Sequence, residues 1–125
     1  SDVCSSDLGG IKTAFLRSPG PGLPPLNGIE IGTTEGSIVH AVHEGVVAFA
    51  STFSGFGNLV IVEHGTQNFT VYGYLASLEV ARSDRVERGQ AVGTSGTSAR
   101  GAEATYFELR VDGKPADPLQ WLKSR

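Results

Sequence analysis

Two apolar runs rich in β-branched and aromatic residues flank a short polar turn near the middle of this chain. They are Asn58-Leu59-Val60-Ile61-Val62-Glu63-His64 and Phe69-Thr70-Val71-Tyr72-Gly73-Tyr74, separated by Gly65-Thr66-Gln67-Asn68. Residues of this kind suit a pleated, half-buried surface, and short apolar runs bounded by turn residues read as buried strands. The pattern predicts a central buried hairpin, and a fold around it must supply strands on both sides. The 17 Gly and 6 Pro, with no Met, point to many turns and favour an all-β domain. At 125 residues one domain is expected, since domains usually run to about 100–200 residues.

Further strands are read at Ile11 to Phe15, Gly28 to Gly32, Ile38 to Val42 and Val46 to Ala50, the last two joined through Glu44-Gly45 as a hairpin or corner. Between the first two, Pro19, Pro21, Pro24 and Pro25 cannot donate to a sheet, so that stretch is a loop. Arg85 to Gly93 places a Gly89-Gln90 turn between two short valine-bearing segments, and Thr94 to Gly101 reads as a polar, Gly-rich loop. In the strand from Thr105 to Val111, alternation sets Thr105, Phe107, Leu109 and Val111 on the core face. Tyr106, Glu108 and Arg110 share the other face. Asp117-Pro118 offers an N-cap and a first-turn proline for one terminal turn of helix running to Leu122. With eight or nine short strands, the expectation is a sandwich or partly open barrel.

Composition narrows the functional classes. Hydrophobic residues at 39% and charged residues at 18% exclude a disordered tail. Ten basic against thirteen acidic residues, net charge −3, and no basic stripe argue against a role built on phosphate-backbone binding. Residues 1–8 show neither strand alternation nor a helical stripe and lack the features of a secretory signal. They resemble a translated sequencing adapter, and the domain is taken as 9–125. That segment holds Cys4, the one cysteine, so thiol chemistry, a disulfide and a thiolate metal site are not expected.

Three histidines, His40, His43 and His64, are the first candidates for metal or acid–base work. On a regular strand His40 and His43 point to opposite faces, so the favoured reading is strand-end or surface histidines. Ser54 and Ser95 lie in Gly-rich turns without a Gly-x-Ser-x-Gly elbow. Asn68-Phe69-Thr70 matches a glycosylation triplet but reads as a turn entering a strand, and Gly93 to Thr97 lacks the Lys-Ser/Thr of a phosphate loop. Trp121 reads as a core anchor.

Taken in order, several blocks resemble a LytM domain of the M23 peptidase family. They are Asn27 to Ile31, Gly36 to Val47, Gly55 to Gly65, Thr70 to Leu75, Val86 to Gly93, Tyr106 to Arg110 and Asp117 to Leu122. The resemblance covers about residues 10–123 and implies a mostly antiparallel β-sheet with a groove across one face. Members that cut peptidoglycan peptides bind one zinc through a His-x3-Asp pair and the second His of a His-x-His motif. They also use the other His of that motif and a His after the Tyr-x of the central strand. The corresponding positions here are Leu26, Glu30, Tyr106, Ala104 and Tyr74. Only Glu30 carries a ligand atom of the usual kind, whereas catalytic zinc needs about three protein ligands and an open position. No metal site, cofactor or catalytic residue is therefore assigned.

Tyr72-Gly73-Tyr74, Tyr106-Phe107-Glu108 and the Asp-Pro-Leu-Gln-Trp-Leu ending are similar to the degenerate LytM domains of the EnvC type, which are murein hydrolase activators. The resemblance implies a periplasmic location, an N-acetylmuramoyl-L-alanine amidase as partner, activation of that amidase for septal splitting, and a link to an upstream divisome regulator through a preceding coiled coil. It also leaves open a zinc endopeptidase in which Glu30 and a distant histidine converge, and a passive peptidoglycan-binding module. On the activator reading Leu26, Asn27, Glu30, Tyr72, Tyr74, Tyr106 and Arg110 line a partner-binding groove with aromatic walls and hydroxyl rims, because tyrosine supplies large contact area at low entropic cost.

Overall fold

The computed structural model describes residues 11–13 and 27–118. In chain order the strands are β1 (Ile11–Thr13), β2 (Ile29–Gly32), β3 (Ile38–His40), β4 (Gly45–Phe53), β5 (Gly57–Glu63), β6 (Phe69–Leu78), β7 (Arg85–Val86), β8 (Ala91–Thr97), β9 (Glu103–Val111) and β10 (Lys114–Ala116). All pair antiparallel in a single curled sheet of order β1-β2-β9-β8-β6-β5-β4-β7, with β10 on β9 and β3 on β8.

The central hairpin forms as the sequence predicts: β5 and β6 pair from Glu63↔Phe69 outward, and Gly65, Thr66 and Gln67 take left-handed φ in the turn. Strand β6 then changes partner. Its first half, Phe69 to Gly73, pairs with β9, and its second half, Leu75 to Leu78, pairs with β8. The segment from Ile38 to Ala50 is a corner rather than a hairpin, since β3 pairs with β8 whereas β4 pairs with β5 and β7.

The main core fills one face, with Ile29, Val39, Val47, Val60, Val62, Tyr72, Val92 and Phe107 all buried. A second, smaller cluster of Leu59, Val71, Tyr74, Ala104 and Tyr106 covers the opposite face of β5, β6 and β9. This corrects the expectation of one core face on β9. Thr105, Phe107 and Leu109 are buried as expected, but Tyr106 and Glu108 on the other side are buried too, and Val111 is 41% exposed. The strand is central and packed on both faces, so alternation alone could not assign inside and outside.

The expected loop from Thr94 to Gly101 is also corrected, because its first four residues belong to β8. Their polarity is satisfied within the sheet. Ser77 Oγ and Thr94 Oγ1 lie 2.7 Å apart, and Ser95 Oγ donates to the Thr34 carbonyl at 2.7 Å. The terminal turn of helix and Trp121 fall, after Pro118, outside the described residues.

Candidate functional site

The second cluster owes its existence to one irregularity in β6. In a regular strand Tyr72 and Tyr74, two apart, would share a face. The register between β5 and β6 instead shifts between Asn58↔Leu75 and Val60↔Tyr72, placing an extra residue in β6. Tyr74 sits in the left-handed region at φ 62°, uncommon for a bulky side chain and a mark of local strain. The bulge turns Tyr74 to the face opposite Tyr72. Its amide donates to the Phe56 carbonyl at 2.7 Å, which ties the bulge to the β4–β5 hairpin.

Tyr74 Oη donates to Glu30 Oε2 at 2.7 Å, and Arg100 Nη2 reaches Glu30 Oε1 at 3.4 Å. Glu30 is 2% exposed, so both of its oxygens are held by groups that compensate a buried carboxylate. On the neighbouring strand Tyr106 Oη donates to Glu108 Oε1 at 2.5 Å, and Glu108 also pairs with the Arg110 guanidinium, whose Nη1 donates to the Gly113 carbonyl at 3.2 Å. Burial, reinforced by the hydrogen bond and the charge of each carboxylate, pushes both tyrosine hydroxyls above their ordinary pKa. They remain neutral donors.

Beyond Tyr106 the same face opens into a groove of about 540 Å³. Phe49, Phe53, Phe56, Leu59, Ile61 and Val71 form its apolar walls, with Asn27, Glu108 and Arg110 supplying polar groups. The aromatic rings continue from groove to buried cluster: Phe49–Phe53 centroids are 6.0 Å apart, Phe53–Phe56 6.2 Å and Phe56–Tyr106 4.7 Å.

Of the seven residues expected to line a groove, Asn27, Tyr106 and Arg110 do so. Glu30 and Tyr74 lie beside it, buried and bonded to each other. Tyr72 is a correction, since it packs in the main core at 0% exposure and its hydroxyl accepts from the Val42 amide at 3.1 Å. The hydroxyl rims are likewise corrected, because the Tyr74 and Tyr106 hydroxyls are tied to carboxylates. Leu26 lies outside the described residues. Sequence reasoning missed Phe49, Phe53, Phe56 and Arg100. The even spacing of Phe49 and Phe53 along one strand was the available signal for an aromatic face.

These residues do not fit a zinc ion. Glu30 is engaged on both oxygens, Tyr74 and Tyr106 donate to carboxylates, and Ala104 has no donor atom. The histidines lie elsewhere. His43 and His64 stack with centroids 5.6 Å apart, beside a cleft of about 280 Å³ that Glu63 and Arg85 also line. Both ring nitrogens of His64 are engaged, Nδ1 donating to the Glu44 carbonyl at 2.6 Å and Nε2 lying 2.7 Å from Thr70 Oγ1. His40 Nδ1 bonds the Gly89 carbonyl at 2.8 Å. Among the described residues no three His, Cys, Asp or Glu side chains gather as a metal-holding group.

Residues 24–118 match the sequence profile of peptidase family M23. The chain is a member of peptidase family M23. Among relatives, it is 38% identical over 96 residues to murein hydrolase activator EnvC of Escherichia coli, a match covering 76% of this chain and 23% of that protein. It is 36% identical over 99 residues to the lipoprotein NlpD/LppB homolog of Pseudomonas aeruginosa, covering 78% and 33%. The chain thus spans a third or less of the length of these relatives. Among solved structures, a zinc-containing peptidase from Vibrio cholerae matches with TM-score 0.79 at 27% identity, over 87% of this chain and 35% of that one. Lysostaphin from Staphylococcus simulans matches in fold, with TM-score 0.84 at 21% identity over 96% of this chain and 53% of that one. The M23 sheet is therefore present here, and at three of the five positions that the family resemblance assigns to zinc chemistry, Glu30, Tyr74 and Tyr106, the side chains are hydrogen-bonded within the protein.

Proposed function

We propose that this M23 domain is a non-catalytic murein hydrolase activator. It binds an N-acetylmuramoyl-L-alanine amidase in the periplasm and releases that enzyme's activity on septal peptidoglycan. The observation that carries the reading is the pairing of an apolar aromatic groove with a neighbouring site whose one carboxylate, Glu30, is consumed by Tyr74 and Arg100. A cleft so lined favours a peptide or helix with apolar side chains, and aromatic residues are enriched where binding energy concentrates. Relatives named murein hydrolase activators, EnvC and NlpD of Escherichia coli, support the same reading. In the full-length protein a preceding coiled coil would couple the domain to a divisome regulator.

The test is dye release from labelled peptidoglycan by the purified chain, alone and with a cognate amidase, each with and without zinc. Release only with both proteins present is the expected result, and zinc-dependent release by the chain alone would make it a peptidase. Co-sedimentation with sacculi without any stimulation would make it a passive binding module. Phe53, 50% exposed on the groove wall, is the side chain to truncate first because its removal spares the core. Phe53→Ala should weaken amidase binding about tenfold or more with an unchanged fold. Tyr106→Phe, which keeps the ring and removes only the bond to Glu108, should bind close to wild type.

A further inference from the structure

We propose that Arg100 supplies, from within the chain, the positive charge that a metal ion supplies to this site in zinc-containing members of the fold, and so acts as the positioning residue of the Glu30–Tyr74 network. The starting point is a charge that has to be compensated. Glu30 stands on β2, a strand paired to β9 at Tyr106, with its side chain on the buried side and 2% exposed. A carboxylate taken out of water at such a place is costly unless it is both hydrogen-bonded and paired. Among its contacts, Tyr74 donates a hydrogen bond to one oxygen and Arg100 brings a positive charge to the other.

Arg100 comes from the connection between β8 and β9, whose last pairs are Gly96↔Ala104 and Thr97↔Glu103. That connection is internally braced. The Ser98 amide donates to the Ala102 carbonyl at 2.8 Å, the Gly101 amide donates to the Ser98 carbonyl at 2.9 Å, and Ser98 Oγ accepts from the Arg100 and Ala102 amides at 3.3 Å each. A pre-formed turn thus delivers the guanidinium across the sheet to β2. The two partners are unequally placed, since the Arg100 side chain is 45% exposed and that of Glu30 is 2% exposed. Arginine can lose its partner and still be solvated, whereas Glu30 cannot. The same arrangement anchors the hydroxyl of Tyr74, the residue with the left-handed φ of 62°, on a carboxylate that Arg100 holds in place.

The inequality gives the test, which is independent of any amidase. Thermal unfolding of the full chain would be compared for wild type, Arg100→Gln, Arg100→Lys, Glu30→Gln and the double variant Arg100→Gln/Glu30→Gln, with excess zinc and with chelator. Arg100→Gln should lower the Tm by about 5 °C or more, Glu30→Gln by clearly less, and the double variant should recover at least half of the loss. Arg100→Lys should keep most of the wild-type Tm. Failure of Arg100→Gln to fold while the double variant folds would carry the same meaning. The proposal is overturned if the single losses simply add in the double variant, if Glu30→Gln costs as much as Arg100→Gln, or if zinc raises the wild-type Tm above its value in chelator.

Discussion

Gly28 decides where Tyr106 can lie. A Cβ at that position would stand 2.3 Å from the Phe107 carbonyl oxygen and 2.9 Å from the Tyr106 ring carbon Cζ and hydroxyl, so the ring occupies space that only glycine leaves open. Gly28→Ala should lower the unfolding free energy by about 1–3 kcal/mol, read from the denaturant midpoint, because ring or strand must move. Tyr74 shows the other side of residue-scale control. Its left-handed φ sends it to the Glu30 side while Tyr72 stays in the main core. The sequence reading put both tyrosines in the groove, as an even spacing on a regular strand requires. Gly73, isolated inside a strand, was the local signal of a bulge or of close backbone approach, but it does not say which neighbouring tyrosine is turned to the other face. Arg100 was invisible for a related reason, since its partner is brought to it by the pairing of β2 with β9.

At the scale of elements, what the sequence made legible is what alternation and β-branching encode: the β5–β6 hairpin, the strand from Thr105 to Val111, and the corner after β3. Strand β10 was missed, although Asp112-Gly113 is a strong two-residue hairpin signal. Both residues have left-handed φ, 56° and 77°, as a type I′ turn requires. The obscuring feature was Pro115, which cannot donate to a ladder and is tolerated here because, among the described residues, β10 pairs on one side with β9. Gly113→Ala should cost about 1 kcal/mol or more in stability, with an unchanged m-value in denaturant titration. Because the Gly113 carbonyl accepts from Arg110, loosening this turn also slackens the Glu108–Arg110 end of the groove.

At the scale of the molecule, a sheet packed on both faces has polar chains threading between its sides. One runs from the His43–His64 cleft through Thr70 to the Tyr72 hydroxyl in the main core. Burial lowers the His64 pKa from its ordinary value, opposed by its bond to the Glu44 carbonyl and helped by the nearby charge of His43. The unfolded chain therefore binds a proton more readily than the folded one, and stability from this group is complete above the ordinary histidine pKa and lost as pH falls below it. The Tm should rise between about pH 5.5 and pH 7.5, and His64→Gln should flatten that rise. The strand β9 has a further consequence. It pairs with β2, β6, β8 and β10, so the last long strand of the chain joins strands formed near its beginning and middle. Neither face can close before β9 arrives, and the entropy of bringing such distant segments together must be met first. Without β9 the earlier strands are an open, unsealed half-sheet, so the topology leads one to expect slow folding that waits on the chain's final third.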